Sequence, residues 1–300
     1  MSKGQAEPVL AVSSLRGNRL ALDGGAMFGH VPRSLWQKWY APDEHNRIPL
    51  TCRAFLVEDG ERRIVIESGI GAFFEPKLRE RYGVVEEGHV LLDSLRKRGL
   101  GPEDIDVVLL SHLHFDHAGG VLEPFAPDQP LRLAFPRATF VTSQAAFERA
   151  THPHPRDRAS FIPGLAELLQ ASGRLRLLGP GEERCAELGT RIRCPQSTGH
   201  TEGMLLPTLE GRGTTAVFCA DLIPGVPWVH LPITMGYDRH PEELVNEKQR
   251  LYRTLGSGAL LLFTHDPDAA AGTLSEESPG RYVAAAARAQ LDRLDLDQAS

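Results

Sequence analysis

The chain has 300 residues, 41% of them hydrophobic and 24% charged, with a formal net charge of -6 and a mean hydropathy of -0.24. That is enough chain to bury a substantial core, and its balance is that of a globular protein. The acidic excess supplies no footprint for nucleic acid or for an anionic membrane surface, and no 18-residue apolar run spans a bilayer.

In chain order, the opening MSKGQAEPVLAVSSL lacks the basic-then-apolar pattern of an export leader, so a cytoplasmic location is expected. Residues 22–50 read as a long irregular stretch carrying Phe28, Trp36, Trp39 and Tyr40. Such a loop either packs on the body or covers a pocket. CRAFLVEDGERRIVIESG predicts a hairpin turning at Glu58-Asp59-Gly60. GHVLLDSLRKRGL follows with apolar residues at helical spacing, and IDVVLLSH reads as a strand buried on both faces. Next come a strand ATFVTS, a helix QAAFERA, a loop THPHPRDR, a helix PGLAELLQAS, and strands RLRLL and TRIRCP. TTAVFCAD and ALLLFTHD are further buried strands, separated by an amphipathic helix PEELVNEKQRLYRTL. An Ala- and Arg-rich helix is expected to close the chain. Strands and helices in two successive sets predict an α/β fold of sheets covered by helices.

The chemistry gathers at the strand ends. SHLHFDHAGG places His112, His114, Asp116 and His117 directly after a buried strand; His200 in TGH, Asp221 in CAD and His265 in FTHD stand in like positions. Loops held at strand ends are where sites are built. Histidines at i and i+2 in a tight loop converge on one ion, which leaves Asp116 and His117 to face a second. Imidazole and carboxylate donors suit zinc, and also manganese, iron or cobalt. His152 and His154 in the Pro-rich loop read as surface residues. The four cysteines lack metal-binding spacing and read as reduced, with Cys219 in the core. Neither a GxSxG elbow nor a phosphate-binding GxxxxGK[ST] loop occurs.

HLHFDHAGG with TGH, CAD and FTHD resembles the metallo-β-lactamase superfamily of binuclear hydrolases, over roughly residues 50–266. The resemblance implies a four-layer αββα sandwich of two mixed β-sheets flanked by helices, forming a single domain over 1–300, with the aromatic stretch near 22–50 over the site. It implies that His112, His114 and His200 hold one divalent cation and Asp116, His117 and His265 a second, with Asp221 bridging them. The expected cofactor is a pair of Zn2+ ions. Two cations sharing one oxygen would supply a bridging hydroxide near neutral pH to attack an ester-type carbonyl, with Asp116 as proton shuttle.

DGGAMFGHVPRSLW, DEHNRI and ADLIPG…H…ITMGYD…P…EK are similar to YtnP-like quorum-quenching lactonases and methyl parathion hydrolase-like enzymes. The expected substrate is therefore a small lactone of the acyl-homoserine-lactone kind. Organophosphate, aryl ester or thioester hydrolysis on the same centre is the alternative, and a non-catalytic metal-binding protein a remote one. Phe28, Trp36, Trp39, Trp228, His230 and Tyr237 are candidate substrate contacts, and a homodimer would be unsurprising. Two departures stand out. Glu67-Ser68-Gly69 replaces an Asp-Thr-Gly, so the bracing of the ligands should differ there. Pro224 occupies the position where acyl-homoserine lactonases place a tyrosine, which leaves Tyr237 as a substitute.

Overall fold

The computed structural model describes residues 9–298. Two mixed sheets form its centre. In the first, the strands lie in the order Leu294–Asp295, Ala11–Leu15, Ala54–Glu58, Arg63–Ile66, Val107–Leu109, Thr139–Ser143 and Leu175–Leu178. The last four of these run parallel and the pairs before them are antiparallel. The second sheet runs Arg281–Arg288, Ala271–Ser278, Leu260–Leu262, Thr215–Phe218, Thr208–Glu210 and Ile192–Arg193, with one parallel pair, Thr215–Phe218 beside Leu260–Leu262. One continuous apolar core joins the inner faces, and Phe55 of the first sheet meets Phe218 of the second edge-on at 5.8 Å. This is the packing expected of two sheets that each bury one face and cover the other with helices.

The predicted hairpin forms between Ala54–Glu58 and Arg63–Ile66, with Glu58 opposite Arg63. Its turn spans 59–62 because Asp59 accepts the backbone N–H groups of Glu61 and Arg62. Val107–Leu109 has both faces buried, as a parallel central strand requires.

Two expectations are overturned. The closing segment is a strand, Arg281–Arg288, antiparallel to Ala271–Ser278 around Gly280. Alanine favours a helix only weakly, and here pairing decides: Tyr282 packs at a tilt against Tyr252 at 4.6 Å while the preceding strand supplies the hydrogen bonds. Residues 22–50 are not irregular either. Arg19–Asp23 pairs with Arg47–Thr51 along five residues, and short helices Gly24–Phe28 and Arg33–Trp36 lie between them. Asp23 caps the first helix through the Ala26 N–H and also accepts from Asn46.

Candidate metal centre

The loop after Val107–Leu109 turns sharply into a four-residue helix, Phe115–Ala118. Two glycines let the chain leave that helix by close approach: a Cβ on Gly119 would lie 2.5 Å from the Ile70 carbonyl oxygen and one on Gly120 2.0 Å from that of Ser68, so the chain can pass there only without side chains. The strand ends at 200, 221 and 265 approach the same point. Ala220 holds the left-handed conformation (φ 43°) immediately before Asp221, a strained geometry for a non-glycine residue.

All seven predicted ligand residues meet in this buried cluster. Three sets have ligand atoms within 4.8 Å of one another: His112, His114 and His200; His112, His117 and Asp221; and Asp116, His117 and His265. Nitrogen faces nitrogen throughout. His114 Nδ1 lies 3.0 Å from His112 Nε2 and 3.3 Å from His200 Nε2, while His117 Nε2 lies 3.1 Å from His265 Nε2. Around a tetrahedral zinc with bonds of 2.0–2.1 Å, neighbouring nitrogens sit about 3.3–3.4 Å apart. Asp221 spans the groups: Oδ2 is 3.2 Å from His200 Nε2, and Oδ1 is 3.2 Å from His117 Nε2 and 3.3 Å from His265 Nε2. That Oδ1 is buried with no hydrogen-bonding partner among the described residues. The converging donors and the unsatisfied oxygen fit divalent cations.

The charge balance within the cluster divides the imidazoles into two sets. Burial, reinforced by the neighbouring imidazoles, holds His112 and His114 well below the ordinary histidine pKa, so both keep neutral lone pairs. Burial would lower His117 and His265 as well, but facing carboxylates, Asp221 foremost, outweigh it; His265 is pushed up to about 10. Asp221 is held well below the usual carboxylate range because His117, His200 and His265 together outweigh its burial.

Three of the five imidazoles are hydrogen-bonded through their remaining nitrogen, which sets tautomer and ring angle, and a fourth, His117, faces a carboxylate without a hydrogen bond. His112 Nδ1 meets Ser111 Oγ at 2.9 Å, His200 Nδ1 meets Asp238 Oδ1 at 2.9 Å, and His265 Nδ1 meets the Thr51 carbonyl at 2.7 Å. His117 Nδ1 faces Glu67 Oε2 at 3.5 Å, while Glu67 Oε1 accepts the Ser111 N–H at 2.8 Å. The departure at Glu67 thus keeps a carboxylate behind the ligand loop, on a backbone at φ 65°.

Sequence reasoning missed several of these supports. Glu247 accepts from Ser197 Oγ and from the Thr198 and Gly199 N–H groups, which fixes the loop bearing His200. Lys248 donates to the Trp228 and Ile233 carbonyls at 2.7 and 2.6 Å. Asp266 accepts from Tyr40 Oη and from the Val226 N–H. The available signal was acidic and basic residues on an amphipathic helix stripe, where apolar ones are expected.

A cavity of about 410 Å³ opens over the cluster. His114, Asp116, His200, Asp221 and His265 form its floor; Leu22, Met27, Tyr82, Phe115 and Met235 give it an apolar wall. Tyr237 also lines it, 40% exposed, and burial followed by the nearby Asp116 charge pushes its phenol up to about 12. The other substrate-contact candidates do not line this cavity. Phe28, Trp36 and Trp228 are fully buried in a stack, with Phe28 4.5 Å from Trp228 and 5.7 Å from Trp36, because flat rings offer more energy as core than as a wet wall. Trp39 and His230 line a separate surface pocket with Leu35 and Ile233. His152 and His154 are exposed and outside the cluster, and Pro224 uses its carbonyl to accept the His265 N–H. The cysteines are free thiols, and Cys219 is buried core whose thiol burial raises to about 12.

Comparison with known proteins agrees with this geometry. Residues 47–123 match the family model of the metallo-beta-lactamase superfamily. The match covers that segment, and the chain as a whole has the superfamily's fold. A probable metal-dependent hydrolase from Staphylococcus aureus is 28% identical and superposes with a TM-score of 0.80, covering 95% of this chain and all of the other. N-acyl homoserine lactonase AiiB from Agrobacterium fabrum is 37% identical over 116 residues, 38% of this chain and 39% of its own. AidC, a dizinc quorum-quenching lactonase solved with a product, N-hexanoyl-L-homoserine, is 20% identical with a TM-score of 0.68, covering 93% of this chain and 95% of the other. The alignments to the curated relatives span about a third to a half of those relatives' length. Among the described residues no helix is long and apolar enough to cross a membrane.

Proposed function

We propose that the chain is a binuclear metal-dependent hydrolase that opens small lactones. The observation that carries the reading is the cavity floor: five of the seven clustered ligand residues face the same space, against a wall of Leu22, Met27, Tyr82, Phe115 and Met235 suited to an acyl chain. His112, His114 and His200 would hold one cation, Asp116, His117 and His265 the other, with Asp221 between. When bound, the cations would act as Lewis acids on the carbonyl and make hydroxide available near neutral pH.

The chain's own groups do the rest. Asp116 Oδ2 is the oxygen nearer His265 and His117, which leaves Oδ1 to accept the proton of the attacking water and return it to the departing alkoxide. Tyr237, protonated at neutral pH and lining the cavity, would donate to a substrate oxygen. The apolar wall orients the acyl arm and excludes water from it. The likeness to lactonases and the wall favour a neutral acyl lactone over a phosphotriester.

The test is metal analysis of the purified protein with turnover of acyl-homoserine lactones, aryl esters and phosphotriesters. About two cations per chain and a kcat/KM highest for the lactones are expected. A fully metallated protein that leaves every lactone intact would end the proposal.

A further inference from the structure

Away from the metal centre, a second cavity of about 480 Å³ lies among Ser14, Arg16, Arg19, Thr51, Arg53, Asp268 and Gln290. None of the seven clustered ligands lines it. Its unusual member is Arg53, only 7% exposed. One guanidinium nitrogen, Nη1, donates to the carbonyls of Phe263, Asp266 and Ala269 at 2.9, 3.0 and 3.1 Å. The other two, Nε and Nη2, have no hydrogen-bonding partner among the described residues, and no carboxylate there lies within ion-pair distance. Neither atom is sealed from solvent, so this edge of an otherwise buried side chain opens to the cavity, and a largely buried cation with no paired carboxylate is costly. Burial pulls Arg53 down to about 10, though Asp266 and Asp268 attract it.

The neighbours leave the vacancy open. Asp266 spends its carboxylate on Tyr40, Val226, Asp268 and Ala269. Arg19 is paired with Glu86 at 2.7 Å. Arg16 has no side-chain partner among the described residues, so its guanidinium and the free edge of Arg53 share the cavity with one carboxylate, Asp268. A guanidinium edge presenting Nε and Nη2 is the fork that pairs with two oxygens of one anion.

We propose that this cavity binds a small oxyanion, a phosphate or carboxylate group, with Arg53 as the buried anchor and Arg16 closing over it. The site does not depend on how the histidine cluster is used. Its occupancy would be felt there, because the same guanidinium holds the carbonyls on either side of His265.

The test is calorimetric titration of inorganic phosphate into the metal-loaded full-length protein and its Arg16→Ala, Arg53→Lys and Asp268→Asn variants. Wild type should show a saturable site. Loss of a charge-assisted hydrogen bond predicts at least about tenfold weaker binding for Arg16→Ala. Arg53→Lys, which keeps a donor for the carbonyls but loses the fork, should do the same, and Asp268→Asn should bind more tightly. Competition by acetate would extend the site to carboxylates, and its absence would restrict it to phosphates. Equal phosphate affinity in all four proteins, or none in wild type and Asp268→Asn, overturns the proposal; the first result would place the anion at the histidine cluster instead.

Discussion

Two stretches of this chain advertise a site, and only one delivers it. Residues 112–117 concentrate histidine and aspartate; residues 22–50 concentrate aromatic rings. The first stretch lies at the floor of the cavity, with its donor atoms converging on one point. In the second, Phe28 and Tyr40 turn inward against Trp228, and Trp36 stacks on the Phe28 ring. Of that segment only Leu22 and Met27 reach the cavity. A buried imidazole or carboxylate must find a partner, so several together imply what they partner. An aromatic ring is content in any apolar surroundings, and its presence says little about which surface it faces.

The largest effect should come from the first region. His114→Ala is expected to release most bound metal and reduce turnover by at least about a thousandfold, since triad-like sets fail as a unit; metal content and rate measured on one sample check both. Asp116→Asn should lower kcat by about 10²–10⁴-fold, the usual contribution of a proton-transfer group, with a smaller change in KM. A variant with unchanged kcat would remove the shuttle role.

In the second region the cost should fall on stability. Phe28→Ala is expected to destabilise by about 3–5 kcal/mol, as large aromatic truncations in cores do, visible in denaturant unfolding. Trp39→Ala, half-exposed but stacked on Phe28 at 5.5 Å, should cost less, about 0.5–1.5 kcal/mol, and leave KM unchanged. If Trp39→Ala instead raised KM selectively, the separation between the two regions would be wrong.

A finer contrast concerns Lys248. Burial draws its amine down to about 7 from an ordinary 10.5. Between those values the unfolded chain binds more protons than the folded one, so this residue makes stability rise with pH across that window. Unfolding followed from pH 7 to 9 should show a steeper rise for wild type than for Lys248→Met; parallel curves would mean that the ammonium survives burial.

How much was legible follows the same division. Six of the seven ligand positions could be read because they follow buried strands whose apolar runs mark their ends, where donor chemistry is rarely idle; His200, after the short polar strand Gln196–Ser197, was legible through the resemblance alone. The supports behind them could not. Asp238, Glu247 and Glu67 are ordinary acidic residues in one dimension, and only the fold brings them to His200, to the loop before it and to His117. The closing segment misled because alanine's helical preference is worth tenths of a kcal/mol per residue, less than a strand gains by pairing. The Ser278-Pro279-Gly280 turn was the overlooked cue.

The order of donor residues along the chain, and their identity as nitrogen and oxygen ligands, belonged to the sequence by itself, because coordination preference is a property of the side chain. Which rings became core, which carboxylates brace the imidazoles, and where Arg53 came to rest beside an open cavity were decided only in three dimensions. Those outcomes depend on contacts between residues tens or hundreds of positions apart, and no local preference is strong enough to specify them.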